Sequence, residues 1–391
     1  MPDAVIVSTA RTAIGTARKG TLAATPASDL ARWAVEAAVA RAGVAHEAID
    51  DLQVGESLQG GGDIARYVAV ELGLTGVPGV ALNRHCASGM ASVQAAAAGI
   101  RAGMDRVVVA GGTESISTAP MPTKRLPGAD EPVSWMPPSH PETPDAPAFD
   151  MSITVGWNAA VRAGVSRAEM DEWAFHSHRR AVAAIDEGRF TDEIIPIEVC
   201  RPDGTPVVFA VDEHPRRDTS LEKLAALPPL HPEIEGFSIT AGNASGLNDG
   251  AAAMVLAADD VARAHGLQPL AVVRAWASVG VPPAETGFGP VHAIPKALER
   301  AGLGLADVAL FEINEAFASM CVATTRMLGI PHERTNVNGS GCSLGHPVAC
   351  TGSRMIVTLV HELRRRGGGI GVASMCAGGG MGSATVIEVA G

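Results

Sequence analysis

The sequence predicts an α/β protein of two similar halves, with a long irregular insertion in the first. Three observations carry this reading. Apolar strand-like runs alternate with helix-like segments from the start of the chain, the pattern of a largely parallel sheet. That alternation breaks near Ser117 and begins again at Leu270. The restart repeats the beginning. Ala38–Leu58 aligns without a gap on Ala297–Phe317 at a constant offset of 259, and Ala38, Arg41, Ala42, Gly43 and Glu56 meet identical residues. The same offset carries Cys86 to within one residue of His346, and Val107–Gly112 has its counterpart in Gly371–Cys376. Self-similarity at a fixed offset is the mark of an internal duplication.

The elements follow in order. Ala4–Thr9 reads as a buried strand, and a helix starts near Thr25-Pro26 and ends at Gly43, with proline in the first turn and glycine as the stop. A strand near Leu52–Val54, a helix over Ile64–Leu72, a short strand Gly79–Leu82 and a small-residue helix ending near Ile100 come next. Arg106–Glu114 is a buried strand ending in glycines. From Ser117 to Ala148 proline is frequent and periodicity is lost; two helices, Ser152–Ala163 and Arg167–Glu187, a strand pair within 195–211 and a loop over Pro215–Pro232 follow. Gly236–Ser245 reads as strand and turn, and Ala251–Ala257 as a helix or a buried strand. The division expected is 1–117 plus 245–268 for the N-terminal half, 118–244 for the inserted loop domain, and 269–391 for the C-terminal half.

Bulk composition narrows the function. Hydrophobic residues make up 47% and charged ones 18%, as in a well-packed globular protein, and the formal net charge of −12 argues against nucleic acid or an anionic membrane as a general partner. No window approaches a membrane span, and Met1–Ala4 lacks the basic, then apolar, start of a signal peptide. The C-terminal Val389-Ala390-Gly391 is no peroxisomal address. A cytoplasmic home with six cysteines as thiols is the expectation. Cys342, His346 and Cys350 are spaced C-x3-H-x3-C, but without paired short-spaced cysteines and a fourth ligand they do not read as zinc.

The chemistry centres on Asn83-Arg84-His85-Cys86-Ala87-Ser88-Gly89. A cysteine here stands between a strand and the first turn of a helix, where unpaired N–H groups and the helix dipole favour thiolate. The alternative is a small buried cysteine that lets a helix pack closely. The duplication weighs on the choice, because related strand ends would bring Cys86, His346, Asn314 and Cys376 together. A thiol, an imidazole and a second thiol suit covalent acyl transfer with proton shuttling.

With these residues in view, the sequence resembles the thiolase family of coenzyme A-dependent enzymes. The resemblance rests on the Cys86 stretch, Gly111-Gly112-Thr113-Glu114-Ser115, Thr240–Asp249, Asn314-Glu315-Ala316-Phe317-Ala318, Gly345-His346-Pro347 with Thr351-Gly352, and Cys376-Ala377-Gly378-Gly379-Gly380. It spans essentially the whole chain. It implies the thiolase fold, a five-layer αβαβα sandwich, and reversible Claisen condensation or thiolysis of 3-ketoacyl-CoA. It implies Cys86 as the acylated nucleophile, His346 as its base, Cys376 as the second acid/base, and Asn314 as holder of a water beside His346. The N–H groups of Cys86 and Gly378 would form an oxyanion hole. Arg216 and Ser245 would contact CoA, and Met151 and Phe317 would lie near the thioester. Acyl-CoA and CoA are then substrates and partners, with no bound cofactor, and the chain is expected to form a homodimer or homotetramer.

Other residues are read as structural: His85, because turn neighbours point apart; Glu315, as a backbone ligand; Cys200 and Cys321, as core; and Cys342 and Cys350, as packing around the His346 loop. Asp150–Asn158 and Gly339-Ser340-Gly341 depart from common family patterns. So does Thr286, which stands where many members carry a methionine that walls the acyl pocket; it is expected to leave room for a longer or branched chain. Two rivals are a decarboxylating ketoacyl synthase-like enzyme, which typically has histidine in place of Cys376, and a non-catalytic acyl-CoA-binding relative, which would lose one of the reactive residues.

Overall fold

The computed structural model describes residues 2–128, 130–201 and 203–391. Strand β1 (Ala4–Arg11) and the short β2 (Gly15–Thr16) lead to α1 (Ala27–Ala42), β3 (Asp51–Gly55), α2 (Ile64–Glu71), β4 (Gly79–Leu82), α3 (Ser88–Ala102) and β5 (Val107–Ser115). The long middle segment holds two small hairpins, β6 (Thr123–Lys124) with β7 (Val133–Ser134) and β8 (Ile197–Cys200) with β9 (Pro206–Phe209). Its helices are α4 (Asn158–Ala163), α5 (Arg167–Asp186) and α6 (Leu221–Ala225). The chain returns through β10 (Asn248–Ala258) and α7 (Asp259–Ala264). It then runs β11 (Ala271–Gly280), α8 (Gly289–Ala301), β12 (Val308–Ile313), α9 (Ala318–Leu328), α10 (Gly341–Leu344), α11 (Thr351–Arg365), β13 (Gly369–Ala377) and β14 (Met381–Val389).

Sheet pairing shows the duplication. In the first half β3 pairs β5 in parallel, β5 pairs β10 antiparallel, and β10 pairs β1 antiparallel. In the second half β12, β13, β14 and β11 repeat that order and those directions. Only one connection differs greatly in length. Gly378–Gly380 alone join β13 to β14, whereas the whole segment between β5 and β10 fills the equivalent turn of the first half. The two halves also touch edge to edge, where Val5 and Ile6 of β1 pair Val272 and Ala271 of β11.

Three cores make five layers. Alternate side chains of a strand face opposite ways, so Val5 and Val7 of β1 pack under Leu30, Ala34 and Val35 of α1 and Val68 of α2. Ile6 faces the other side, in a core with Met90, Val93 and Ala97 of α3, Met355, Ile356 and Leu359 of α11, and Val273, Leu310 and Met375 of the second half. The far face of the second half buries Phe311, Val372 and Val386 against Ile294 and Leu298 of α8 and Met320 and Ala323 of α9. The order is helices, sheet, α3 with α11, sheet, helices. Each large aliphatic side chain so buried contributes roughly 1.5–3 kcal/mol.

Three local readings differ from the sequence expectation, and a fourth, left open between helix and strand, is settled. Gly236–Ser245 forms turns touched by isolated bridges, Thr240 to Pro229 and Ala244 to Phe317, rather than a strand. Ala251–Ala257 resolves as strand, because both of its faces are covered. Within the expected loop after Pro215 lies α6, capped by Ser220, whose side chain accepts from the Lys223 N–H. Cys200 is exposed, at the solvent-facing position that closes a hairpin strand alternating in burial.

Candidate active site

Cys86 sits in a turn built by its own neighbours. Asn83 Oδ1 accepts from the His85 N–H at 2.9 Å, the Ala87 N–H donates to Arg84 O at 3.0 Å, and Ser88 Oγ accepts from the Arg84 N–H at 2.9 Å while donating to His85 O at 2.6 Å. His85 takes a φ of +46°, an uncommon left-handed value for a residue with a Cβ. Its imidazole packs over Gly378, where an added Cβ would lie 3.5 Å from His85 Cγ. His85 thus borders the site instead of turning away from it.

Close backbone contact brings the halves together. The Gly89 N–H donates to Ala349 O at 2.9 Å, so the start of α3 is bonded to the loop that carries His346. A Cβ on Gly89 would come within 2.5 Å of that same oxygen, and one on Gly352 within 2.5 Å of Met90 N. Only glycine allows α3 and α11 to approach this closely. Glu114, buried at the end of β5, accepts from the Ala349 N–H at 3.1 Å as well as from Leu58 N and Gln59 Nε2. Burial holds its carboxyl up at about 7 against those donors.

His346 has a defined tautomer. Thr351 Oγ1 donates its one proton to Pro347 O at 2.8 Å, so its 2.7 Å bond with His346 Nδ1 must be accepted from Nδ1–H. The lone pair therefore lies on Nε2. Burial, helped by the Arg354 charge, lowers this imidazole to about 3, which keeps it neutral and able to accept a proton. The His346 N–H donates to Asn248 Oδ1 at 3.0 Å, and Leu247 bridges His346, so the Thr240–Asp249 run lies along the histidine. Thr351→Val removes the acceptor that fixes the tautomer. Steady-state assays should show kcat about 10- to 100-fold lower with an unchanged fold by circular dichroism.

Asn314, fully buried at the end of β12, places Nδ2 at 3.5 Å from both ring nitrogens of His346. Its Oδ1 has no hydrogen-bond partner, which fits a small polar guest between the two side chains. Cys376, at the end of β13, is 2% exposed, and its thiol is pushed up by burial and by the nearby Cys86. Burial also pushes the Cys86 thiol up to about 11, opposed by backbone N–H groups of Gly378 and of Cys86 itself. The helix start does not make a resting thiolate: desolvation outweighs it. The two opposing N–H groups are those expected to cradle an oxyanion.

The segments that carry Phe317, Ser245 and Met151 pack against one another. The Ser245 N–H donates to Ala316 O at 2.9 Å, and Gly156, in the helical turn that Met151 leads into, packs on the Phe317 ring. Arg216 lines a cavity of about 120 Å³ with His178, His214, Lys223, Leu227 and Cys342. Glu315 is more than a backbone ligand. It accepts from Trp173 Nε1, Ser177 Oγ and Asn336 Nδ2 at 3.0, 2.6 and 2.8 Å, besides the Cys342 N–H at 3.1 Å. Cys321, Cys342 and Cys350 are buried.

Sequence reasoning gave no role to Thr351, Asn248, Ala349 or Glu114. Glu114, Thr351 and Asn248 did lie in stretches that carry the family resemblance, and Glu114 also stands out as a carboxylate near the end of a buried strand.

Neutral buried imidazoles also set acid stability. His346 and His178, both lowered to about 3 by burial, bind no proton in the fold, whereas an unfolded histidine titrates near 6.5. Below about 6.5 the unfolded chain takes up more protons, so stability is full above that pH and falls toward pH 3. The slope is about 1.4 kcal/mol per pH unit for each imidazole. Melting curves from pH 7 to 4 should show the His178→Gln midpoint losing less than that of the wild type, the raised carboxyl of Glu114 acting in the opposite sense in both proteins.

Comparison with known proteins agrees with this geometry. Residues 4–260 match the family described as thiolase, N-terminal domain, and residues 267–389 match thiolase, C-terminal domain. The chain is 43% identical over 403 residues to an acetyl-CoA acetyltransferase of Escherichia coli (strain K12), covering 99% of each. It is 41% identical over 408 residues to a 3-ketoacyl-CoA thiolase of Bacillus subtilis (strain 168), covering 100% of each. The crystal structure of the Bacillus anthracis acetyl-CoA acetyltransferase superposes with a TM-score of 0.91 at 40% identity, covering 100% of this chain and 99% of that one. Matched from end to end in sequence and fold, the chain belongs to the thiolase family.

Proposed function

We propose that this protein is an acyl-CoA:acetyl-CoA C-acyltransferase that works through an acyl-thioester on Cys86, with Cys376 as the second acid/base. The observation that carries the reading is how the Cys86 segment meets the His346 loop: the Gly89 N–H, just past Cys86, donates to Ala349 O, His346 is a neutral imidazole with Nδ1–H on Thr351 Oγ1, and the Gly378 N–H and the Cys376 thiol lie close enough to act on the ionisation of Cys86. Cys86 Sγ attacks the thioester carbonyl as its proton passes to His346. The bond to the CoA sulfur breaks, and CoA leaves as the thiol with the Cys376 proton, which leaves Cys376 as a thiolate while His346 holds the Cys86 proton. Cys376 then takes a proton from the carbon next to the carbonyl of acetyl-CoA. That carbon attacks the acyl-Cys86 carbonyl, the new carbon–carbon bond forms, and Cys86 leaves and regains its proton.

The energetics favour this division. A carbon proton is removed only if the enolate oxygen is stabilised, and fixed donors are worth roughly 3–4 kcal/mol each. His346 Nε2–H, once protonated, and the space beside Asn314 supply such a place. The thioester splits a two-substrate condensation into two easier steps, so the kinetics are ping-pong. CoA is free substrate; the Arg216 cavity suits its nucleotide end and Ser245 its pantetheine. Cys376 separates this reading from a decarboxylating synthase, and the intact reactive set from a non-catalytic binder.

Three further readings belong here. The edge strand β4, with exposed Val80 beside exposed Tyr67 and Val70 of α2, suits pairing with a second copy, as a homodimer or homotetramer. Six free cysteines suit a cytoplasmic, reducing home. Thr286 is fully buried and donates to Pro283 O at 2.6 Å, and it leaves less bulk than methionine for the acyl pocket. Thiolysis rates should then favour longer or branched 3-ketoacyl-CoA over acetoacetyl-CoA. A strict preference for acetoacetyl-CoA would remove that part of the proposal, and linear intersecting kinetics in place of parallel lines would remove the ping-pong scheme.

A further inference from the structure

Cys376 has an unusual neighbour. The thioether Sδ of Met320 lies 3.5 Å from Cys376 Sγ, and both residues are buried. Met320 stands in the first turn of α9, which is pinned by three bonds. The Ala318 N–H donates to Asn243 O at 2.8 Å, Ser319 Oγ to Gly156 O at 2.7 Å, and Cys321 Sγ to Asn314 O at 3.3 Å. On the other side Gly287 presents bare backbone, where a Cβ would stand 3.6 Å from Met320 Cβ and 2.9 Å from Ala159 Cβ. The backbone that carries Met320 is therefore fixed, and its buried Sδ meets the Cys376 thiol at 3.5 Å.

From this geometry we infer that Met320 is a positioning residue for Cys376, orienting its thiol through an S–H···S contact while offering the sulfur no N–H or O–H donor. A thioether is only a weak acceptor and carries no proton. It can fix the direction of the thiol without stabilising the thiolate. A thiolate that no donor stabilises on that side is the stronger base, which matters when the proton comes from carbon. Methionine here does what neither leucine nor glutamine can: leucine lacks the acceptor, and glutamine brings a donor that would stabilise the thiolate. The inference rests on Cys376 as the base toward the substrate carbon.

The test uses full-length Met320→Gln and Met320→Leu with two readouts. One is Cys86 acylation by acetyl-CoA; the other is deuterium exchange at the acetyl-CoA methyl as a function of pH. Met320→Gln is expected to shift the exchange midpoint down by about one pH unit or more. Its plateau should fall about tenfold beyond any loss in acylation. Met320→Leu, a volume-conserving change, should keep the wild-type midpoint and lose rate severalfold. Equal losses in both readouts with no shift of the midpoint would mean plain packing and overturn the inference. Cys376→Ala separates the two levels: if it retains exchange, the assignment of Cys376 falls and this inference with it. If exchange is lost there while both Met320 variants behave as wild type, the inference alone is wrong.

Discussion

Cys86→Ala is expected to lower kcat for thiolysis by about 10⁴-fold or more, the scale seen when a covalent nucleophile is removed. CoA affinity should stay close to that of the wild-type protein, because Cys86 is not among the residues that line the Arg216 cavity. The loss should not be recovered at high pH. Cys86 titrates near 11 in the wild type because burial outweighs the N–H groups of Gly378 and Cys86, so the native enzyme acts through base-assisted attack by the thiol. The wild type should accordingly be alkylated slowly by iodoacetamide at pH 7 and faster as pH rises. Rapid alkylation at pH 7 would mean a resting thiolate and contradict the burial argument. Cys86→Ser should stay near the alanine level, since a serine hydroxyl gives up its proton far less readily than a thiol and is the weaker nucleophile.

Cys376→Ala is the second large effect, and it should separate the half-reactions. Condensation requires proton removal from carbon and should fall by about 10²- to 10⁴-fold. Acylation of Cys86 by acetyl-CoA should fall far less, because the CoA thiolate is a good leaving group and needs little acid help. Quenched-flow measurement of acyl-enzyme formation beside steady-state condensation checks this. Equal losses in both would assign Cys376 a structural part.

Much of this centre is legible in the sequence because its reactive groups sit in short local patterns. Cys86 lies in a turn closed by Asn83, Arg84 and Ser88, all within five residues, and local hydrogen bonds of that kind can be read from spacing. The duplication was legible too, since a repeated strand–helix order leaves matching residues in register. What escaped was the frame that spans the halves. Ala349 O reaches Gly89, and Asn248 Oδ1 reaches the His346 N–H; neither contact has a periodic signature. Thr351 gains its role only because the turn at Pro347 brings a hydroxyl to Nδ1.

The ionisation state of Cys86 was misread for a physical reason. A helix start suggests a stabilised thiolate, but the Gly89 N–H is taken by Ala349 O, and desolvation of the partly buried Cys86 outweighs the N–H groups that remain. Burial of that kind depends on the assembled fold. Cys200 failed in the opposite sense. Free cysteine is usually buried, yet this one closes a strand whose alternate residues face solvent. Gly236–Ser245 looked like a strand because its apolar content is real: Phe237 and Ile239 are core residues, reached through turns.

The most direct test of the central claim is mass spectrometry of the intact and digested protein after brief incubation with acetyl-CoA. One acetyl group should appear, on the peptide that carries Cys86, and free CoA should discharge it. No adduct on the wild type, or an adduct forming at the wild-type rate in Cys86→Ala, would contradict the acyl-thioester account.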